Sequence, residues 1–146
     1  MEIRRATIED IKEILIFLEE YHKESNLADI PFHRLSVTKV LEYYILHKDC
    51  FPQVAINDEK KVYGVLVGGL EPYFFNSAKT YATDLMFISK GAGPTLFRRF
   101  KEWAFESGAD RLIMGVSSGD GRADAVLELS GMEQVGGMYV LRKESS

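Results

Sequence analysis

Two glycines one residue apart, Gly91 and Gly93, separate an apolar run from a helical pattern. Lys90 precedes them, and Pro94 and Thr95 follow. Upstream, residues 85–88 (Leu-Met-Phe-Ile) read as the end of a buried strand. Downstream, Leu96, Phe100, Trp103 and Ala104 recur at i, i+4, i+7 and i+8, which makes one helix face apolar. A strand therefore feeds through a Gly-x-Gly turn into the first turn of an amphipathic helix. Pro94 suits that turn because its missing N–H would have had no partner there. The first amides of a helix lack internal acceptors, and the macrodipole adds partial positive charge to them. Glycines clear side chains from the approach, so the chemistry such a junction offers is binding of an anion, above all a phosphate. Lys90 would add a mobile positive charge. Gly-x-Gly before a helix is also often just a tight turn, and both readings stand at this point.

Other reactive side chains are sparse. Cys50 is the single cysteine, so it supports neither an internal disulfide nor a cysteine-based zinc site. His22, His33 and His47 lie far apart without ligand spacing and read as surface or cap histidines, so no metal is expected. Gly68-Gly69 marks either a bulge, a close approach to a ligand or a strand end. Glu71 to Asn76 (Glu-Pro-Tyr-Phe-Phe-Asn) reads as an aromatic loop that either lines a pocket or packs on the core.

The elements that must position these residues follow from periodicity. Strands are expected over residues 2–6, 51–56, 62–70, 79–88, 111–117 and 133–141. A helix capped by Thr7 carries Ile8, Ile11, Ile14, Leu15, Leu18 and Tyr21 and fades near Ser25-Asn26. A second, capped by Ser36, runs through Val37, Val40, Leu41, Tyr44 and Ile45. The Gly91 helix ends at Ser107-Gly108, and a short helix spans 122–129. The run at 62–70 is almost wholly apolar, as a strand covered on both faces should be. Short turns make the three central strands antiparallel, and the helical crossover makes 79–88 and 111–117 parallel.

At 146 residues with 46% hydrophobic and 27% charged residues, the chain suits one soluble globular domain spanning 1–146. A net charge of −4 argues against nucleic-acid binding by bulk electrostatics. No secretory leader or membrane-length apolar run is evident, so the expectation is a cytoplasmic protein without a membrane partner.

The order of elements, with Gly-x-Gly after the fourth strand, resembles the GNAT superfamily of acyl-CoA-dependent N-acyltransferases. Three motifs carry the resemblance over nearly the whole chain. Ile3-Arg4-Arg5-Ala6-Thr7-Ile8-Glu9-Asp10 is similar to the family's "I-R-x-A-T-x-x-D" opening. Lys90-Gly91-Ala92-Gly93 is similar to a shortened pyrophosphate loop. Asp120-Gly121-Arg122-Ala123, with Leu127 and then Gly131-Met132, resembles the later "N-x-R-A-x-x-x-Y-x-x-x-G-F" motif. Asp120 stands at the usual Asn, Leu127 at the Tyr that often protonates the departing thiolate, and Met132 at the Phe.

The resemblance implies an α/β fold: a mixed sheet of six to seven strands flanked by about four helices. It implies acetyl-CoA as co-substrate and an amine of a small molecule or protein as acceptor, attacked directly in a ternary complex. Backbone groups of Phe87 and Ile88 would hold the pantetheine arm. Backbone amides of Gly91, Ala92 and Gly93, with Lys90 and Thr95, would hold the pyrophosphate, and Asp120 would also belong to the cofactor site. A neutral amine requires a base, for which Asp84 is the first candidate and Glu71 the second; Tyr139 and Ser117 are weaker candidates for proton donor to the thiolate. Family members often pair, which makes a homodimer an open expectation. Two rival readings remain: a GNAT-fold module that binds acyl-CoA or a protein without efficient turnover, and an unrelated nucleotide-binding domain. The latter lacks any complete phosphate-loop or dinucleotide motif.

Overall fold

The computed structural model describes residues 1–115 and 122–144. Strand β1 (Glu2–Arg5) leads through a 3-10 turn (Ile8–Asp10) into helix α1 (Ile11–Glu24). The Asp10 carboxylate accepts from the Thr7 amide at 2.7 Å and from its hydroxyl at 3.2 Å, closing the helix start. Arg4 grips the same carboxylate at 2.6 and 2.9 Å and holds it below the usual carboxylate range. Ile11, Ile14, Leu15 and Leu18 then form the buried stripe that the 3.6-residue period demands.

Helix α2 (Arg34–Leu46) begins earlier than Ser36. His33 caps it instead, its Nδ1 accepting from the Ser36 amide at 3.2 Å, because Ser36 already lies in the first turn and needs an acceptor. At the other end Arg5 donates to the carbonyls of Ile45, His47 and Cys50 at 3.0, 2.9 and 2.8 Å. The arginine of the opening motif thus satisfies oxygens that the end of α2 leaves orphaned.

Strands β2 (Cys50–Ile56), β3 (Val62–Tyr73) and β4 (Asn76–Ser89) form the antiparallel centre of the sheet. After α3 (Gly93–Glu106) the chain makes β5 (Leu112–Ile113), parallel to β4, and later α4 (Arg122–Leu129). The sheet order is β1-β2-β3-β4-β5. Ile14, Leu18 and Leu41 of α1 and α2 pack on Val54, Val65 and Val67 on one face. Leu96, Phe100 and Ala104 of α3 pack on Phe51, Ala55, Leu66 and Ala82 on the other. The all-apolar β3 is explained by this double coverage.

Three expectations are corrected. The sheet has five strands among the described residues, not six to seven, and residues 132–144 form no strand. β5 pairs for only two residues, too little ladder to seat another strand beside it, and Gly136-Gly137 weakens the pattern that pointed to one. The expected strand over 111–117 is correspondingly reduced to Leu112–Ile113 among the described residues. The aromatic stretch is not a pocket-lining loop but the tip of the β3–β4 hairpin, with Phe74 and Phe75 both 95% exposed. Among the described residues, no helix is long and apolar enough to cross a membrane, and no group of three His, Cys, Asp or Glu side chains could hold a metal ion.

Candidate functional site

β4 is the longest strand, and its two halves have different neighbours. Ala82 and Thr83 pair with Leu112 and Ile113 of β5, and there the pairing stops, although β4 continues to Ser89. From Asp84 onward the edge of β4 that faces away from β3 has no strand beside it among the described residues. A bulge sits at the same place. Val67 opposes Met86 while Gly68 opposes Asp84, leaving Leu85 as the extra residue on β4. Bulge and end of pairing coincide at Asp84, and among the described residues they leave a slot along the unpaired outer edge of β4 that begins there.

Alternation in an antiparallel ladder decides which backbone groups line the slot. The Lys90 amide donates to the Tyr63 carbonyl at 2.8 Å, which sets the phase of the ladder. Counting back by twos, Ile88 and Met86 exchange hydrogen bonds with Val65 and Val67, so Phe87 and Ser89 turn their amides and carbonyls to the open edge. Of the two residues expected to hold an extended ligand arm, Phe87 faces the slot. Ile88 is corrected: its backbone is committed to β3.

The slot ends at the start of α3. Gly91 has φ +111°, a left-handed conformation that favours glycine, and no atom lies within 4 Å of where a Cβ would stand. Ala92 is the N-cap, and its amide already donates to Ser89 Oγ at 2.7 Å. Ala92 is therefore corrected as a backbone donor. The amides of Gly91, Gly93 and Thr95 meet no acceptor among the described residues, and Pro94 has none to offer. These three donors, the helix dipole and the exposed Lys90 fit a pyrophosphate.

The carboxylates separate clearly. Asp84 shares the α3 face with Ala82, and its Oδ1 accepts from the Gly115 amide at 3.4 Å. Burial pushes its pKa above the usual carboxylate range, and the Gly115 bond opposes that rise only in part. Glu71 is exposed and opposes Tyr81, three positions along β3 from the partner of Asp84, or about 10 Å. A Cβ on Gly69 would lie 3.7 Å from Cys50 Sγ and 3.8 Å from Tyr44 Cε1, so residues 69 and 71 face α2, opposite to Asp84. The structure does not bring the two carboxylates together. Tyr139 is 99% exposed in the segment without regular structure, so nothing positions its hydroxyl toward the slot. Asp120 and Ser117 lie outside the described residues.

One feature was not legible in sequence. On the α1/α2 face, beside the second half of β4, a cavity of about 180 Å³ opens between the end of α1, the 25–27 turn and α2. Met86 and Ile88 line it from the sheet, Leu18 and Leu27 from the α1 side, and Phe32 and Val37 from the α2 side. Only the apolar alternation of residues 86 and 88 hinted that this face of β4 would be covered.

No family model matches the chain, and no curated protein matches it in sequence. Solved structures do match it in shape. An aminoglycoside 6'-N-acetyltransferase from Acinetobacter haemolyticus superposes with a TM-score of 0.72 at 12% identity, covering 100% of both chains. An acetyltransferase of Trypanosoma brucei gives 0.72 at 13% identity, over 97% of this chain and 99% of that one. A transcriptional regulator from Bacillus halodurans C-125 gives 0.76 at 19% identity, over 97% and 99%. The chain has the GNAT fold.

Proposed function

We propose that the protein is an N-acetyltransferase that moves an acetyl group from acetyl-CoA to an amine held in a ternary complex. The observation that carries this reading is the opened edge of β4, running from the Asp84 vertex to the free amides of α3. An extended thioester arm would lie along Phe87 and Ser89, and its pyrophosphate would meet Gly91, Gly93, Thr95 and Lys90. The amine nitrogen attacks the thioester carbonyl, an N–C bond forms, and the C–S bond breaks. Asp84 takes the proton the amine gives up, directly or through one water, and the sulfur leaves as the CoA thiol after protonation. Its raised pKa suits the task, because a carboxylate in a drier site is a stronger base than one in water.

A second reading has its own observation. Leu127, where the family often has a tyrosine, is buried and apolar, so that position supplies no proton to the departing sulfur. The chain would then bind acyl-CoA without efficient turnover. Thermal stability with acetyl-CoA, desulfo-CoA, ATP and NAD, followed by thiol release over an amine panel, separates the two. Ligand at a hundred times its dissociation constant adds about 2.7 kcal/mol. A shift with CoA compounds and thiol release establishes the enzyme; a shift without release establishes the binding module. No shift with CoA compounds overturns both.

A further inference from the structure

Helix α2 is apolar on two sides. Its inner side is accounted for: Leu41 sits in the core, with Val37, Tyr44 and Ile45 packed against that cluster. The outer side is not. Helices α1 and α3 each leave one large apolar side chain exposed, Ile16 and Phe105, whereas α2 leaves Leu35, Val40, Tyr43 and Leu46. Leu35 and Leu46 are 58% and 71% exposed. A helix that is apolar all round is normally covered all round. Spacing makes an ordered seam of this outer side. Leu35, Lys39, Glu42 and Leu46 follow one another at steps of four, three and four, the spacing of a coiled-coil seam. Leucines stand at its ends, with one charge of each sign between them. Neither charge forms an ion pair with another described residue.

We propose that this face of α2 docks a second copy of the chain, the two helices running antiparallel through the Leu35–Lys39–Glu42–Leu46 seam. The seam is its own complement. About a twofold axis, Leu35 meets the second copy's Leu46 and Lys39 meets its Glu42, and the reverse contacts follow by symmetry. A parallel pairing would oppose Lys39 to Lys39 and Glu42 to Glu42, so charge selects the antiparallel one. Area sets the strength. A helix of 13 residues is about 20 Å long. Contact along it alone falls short of the roughly 1,200 Å² of a permanent interface, which makes the pair weak and concentration-dependent. Tyr43 flanks the seam and is already held by stacking on the His47 ring at 3.9 Å, so ordering it on association costs little. The seam belongs to α2 and not to the β4 slot, so the inference stands independently of the acetyltransfer reading.

Sedimentation equilibrium of the full chain is expected to show monomer and dimer exchanging with a Kd of about 10–100 μM, the strength of a small transient interface. Leu46→Glu, on the exposed end of the seam, is expected to raise that Kd at least about tenfold and to leave the melting temperature of the dilute protein unchanged. Lys39→Glu and Glu42→Lys each oppose like charges and are expected to weaken pairing about tenfold. The double variant Lys39→Glu/Glu42→Lys exchanges the charges and is expected to return to within about threefold of the wild type. An equimolar mixture of the two single variants is expected to form a heterodimer, because each supplies the charges the other lacks. A chain that stays monomeric throughout overturns the inference and leaves the face to a partner of different sequence. A dimer indifferent to Leu46→Glu and to both charge reversals overturns it by placing the contact elsewhere. If the single variants are monomeric and neither the double variant nor the mixture pairs, the antiparallel register is wrong and the inference falls with it.

Discussion

Asp84 combines a partly buried carboxylate with a position at the end of strand pairing, and these two facts pull stability and activity in opposite directions. Burial raises its pKa in the folded state, so the ionised form present at neutral pH is disfavoured by folding. The native state then holds the proton more tightly than the unfolded chain. Stability therefore falls as pH rises from the ordinary carboxylate value through the raised native one. Asp84→Asn keeps an oxygen for the Gly115 amide and removes the charge. Its melting temperature at neutral pH should equal or exceed that of the wild type, and its pH-dependent loss over that window should disappear. If Asp84 is the base, the same variant should lose about 10²- to 10⁴-fold in kcat/KM. The acidic limb of the wild-type profile should then lie above the ordinary Asp value of about 3.9. A variant with unchanged rate would remove Asp84 from the chemistry. Glu71, exposed on the opposite face, predicts the contrast: Glu71→Gln should alter neither limb.

Among the elements, β4 and α3 carry the site, and glycine placement explains how closely they approach. A Cβ on Gly68 would stand 2.7 Å from Phe100 Cε1 and 2.7 Å from the Thr83 carbonyl, a backbone atom next to the bulge. Gly68→Ala should therefore cost about 1–3 kcal/mol and shift the Asp84 backbone with it. The atoms nearest a Cβ on Gly93 belong to Val126 and Phe87, at 3.5 Å and beyond, which is ordinary contact. Gly93→Ala should fold with near-wild-type stability, so any loss of acetyl-CoA stabilisation in it reports on crowding of the anion-binding turn. Chemical denaturation of the two variants side by side checks the ordering. The Gly68-Gly69 pair in the sequence left bulge, ligand approach and strand end open. The structure puts the bulge's extra residue on β4, at Leu85 opposite this pair, and β3 runs on to Tyr73; what requires a glycine at 68 is Phe100 of α3, which occupies the volume a side chain would need.

Over the whole molecule, stability and site geometry depend on one aromatic contact. Phe100 is fully buried, lies tilted against Phe51 at 5.5 Å and stacks on Trp103 at 5.9 Å, joining α3 to the sheet beneath the vertex. Phe100→Ala should cost about 3–5 kcal/mol, a large share of the 5–15 kcal/mol typical of a domain. The drop in melting temperature measures it. The sequence by itself determined the helix faces, the doubly covered β3 and the Gly-x-Gly junction, because each follows from local period or from backbone freedom at one residue. It also placed the carboxylate at position 84 within a strand. What only the tertiary structure decided is non-local. The end of β4–β5 pairing, the extra residue at Leu85, the capture of the Ala92 amide by Ser89 and the cavity under Phe32 all depend on which segments meet. The expected last strand failed for the same reason. A period-two pattern at 133–141 specifies which faces a strand would show, but a strand exists only where an edge is long enough to receive it, and β5 ends after two residues.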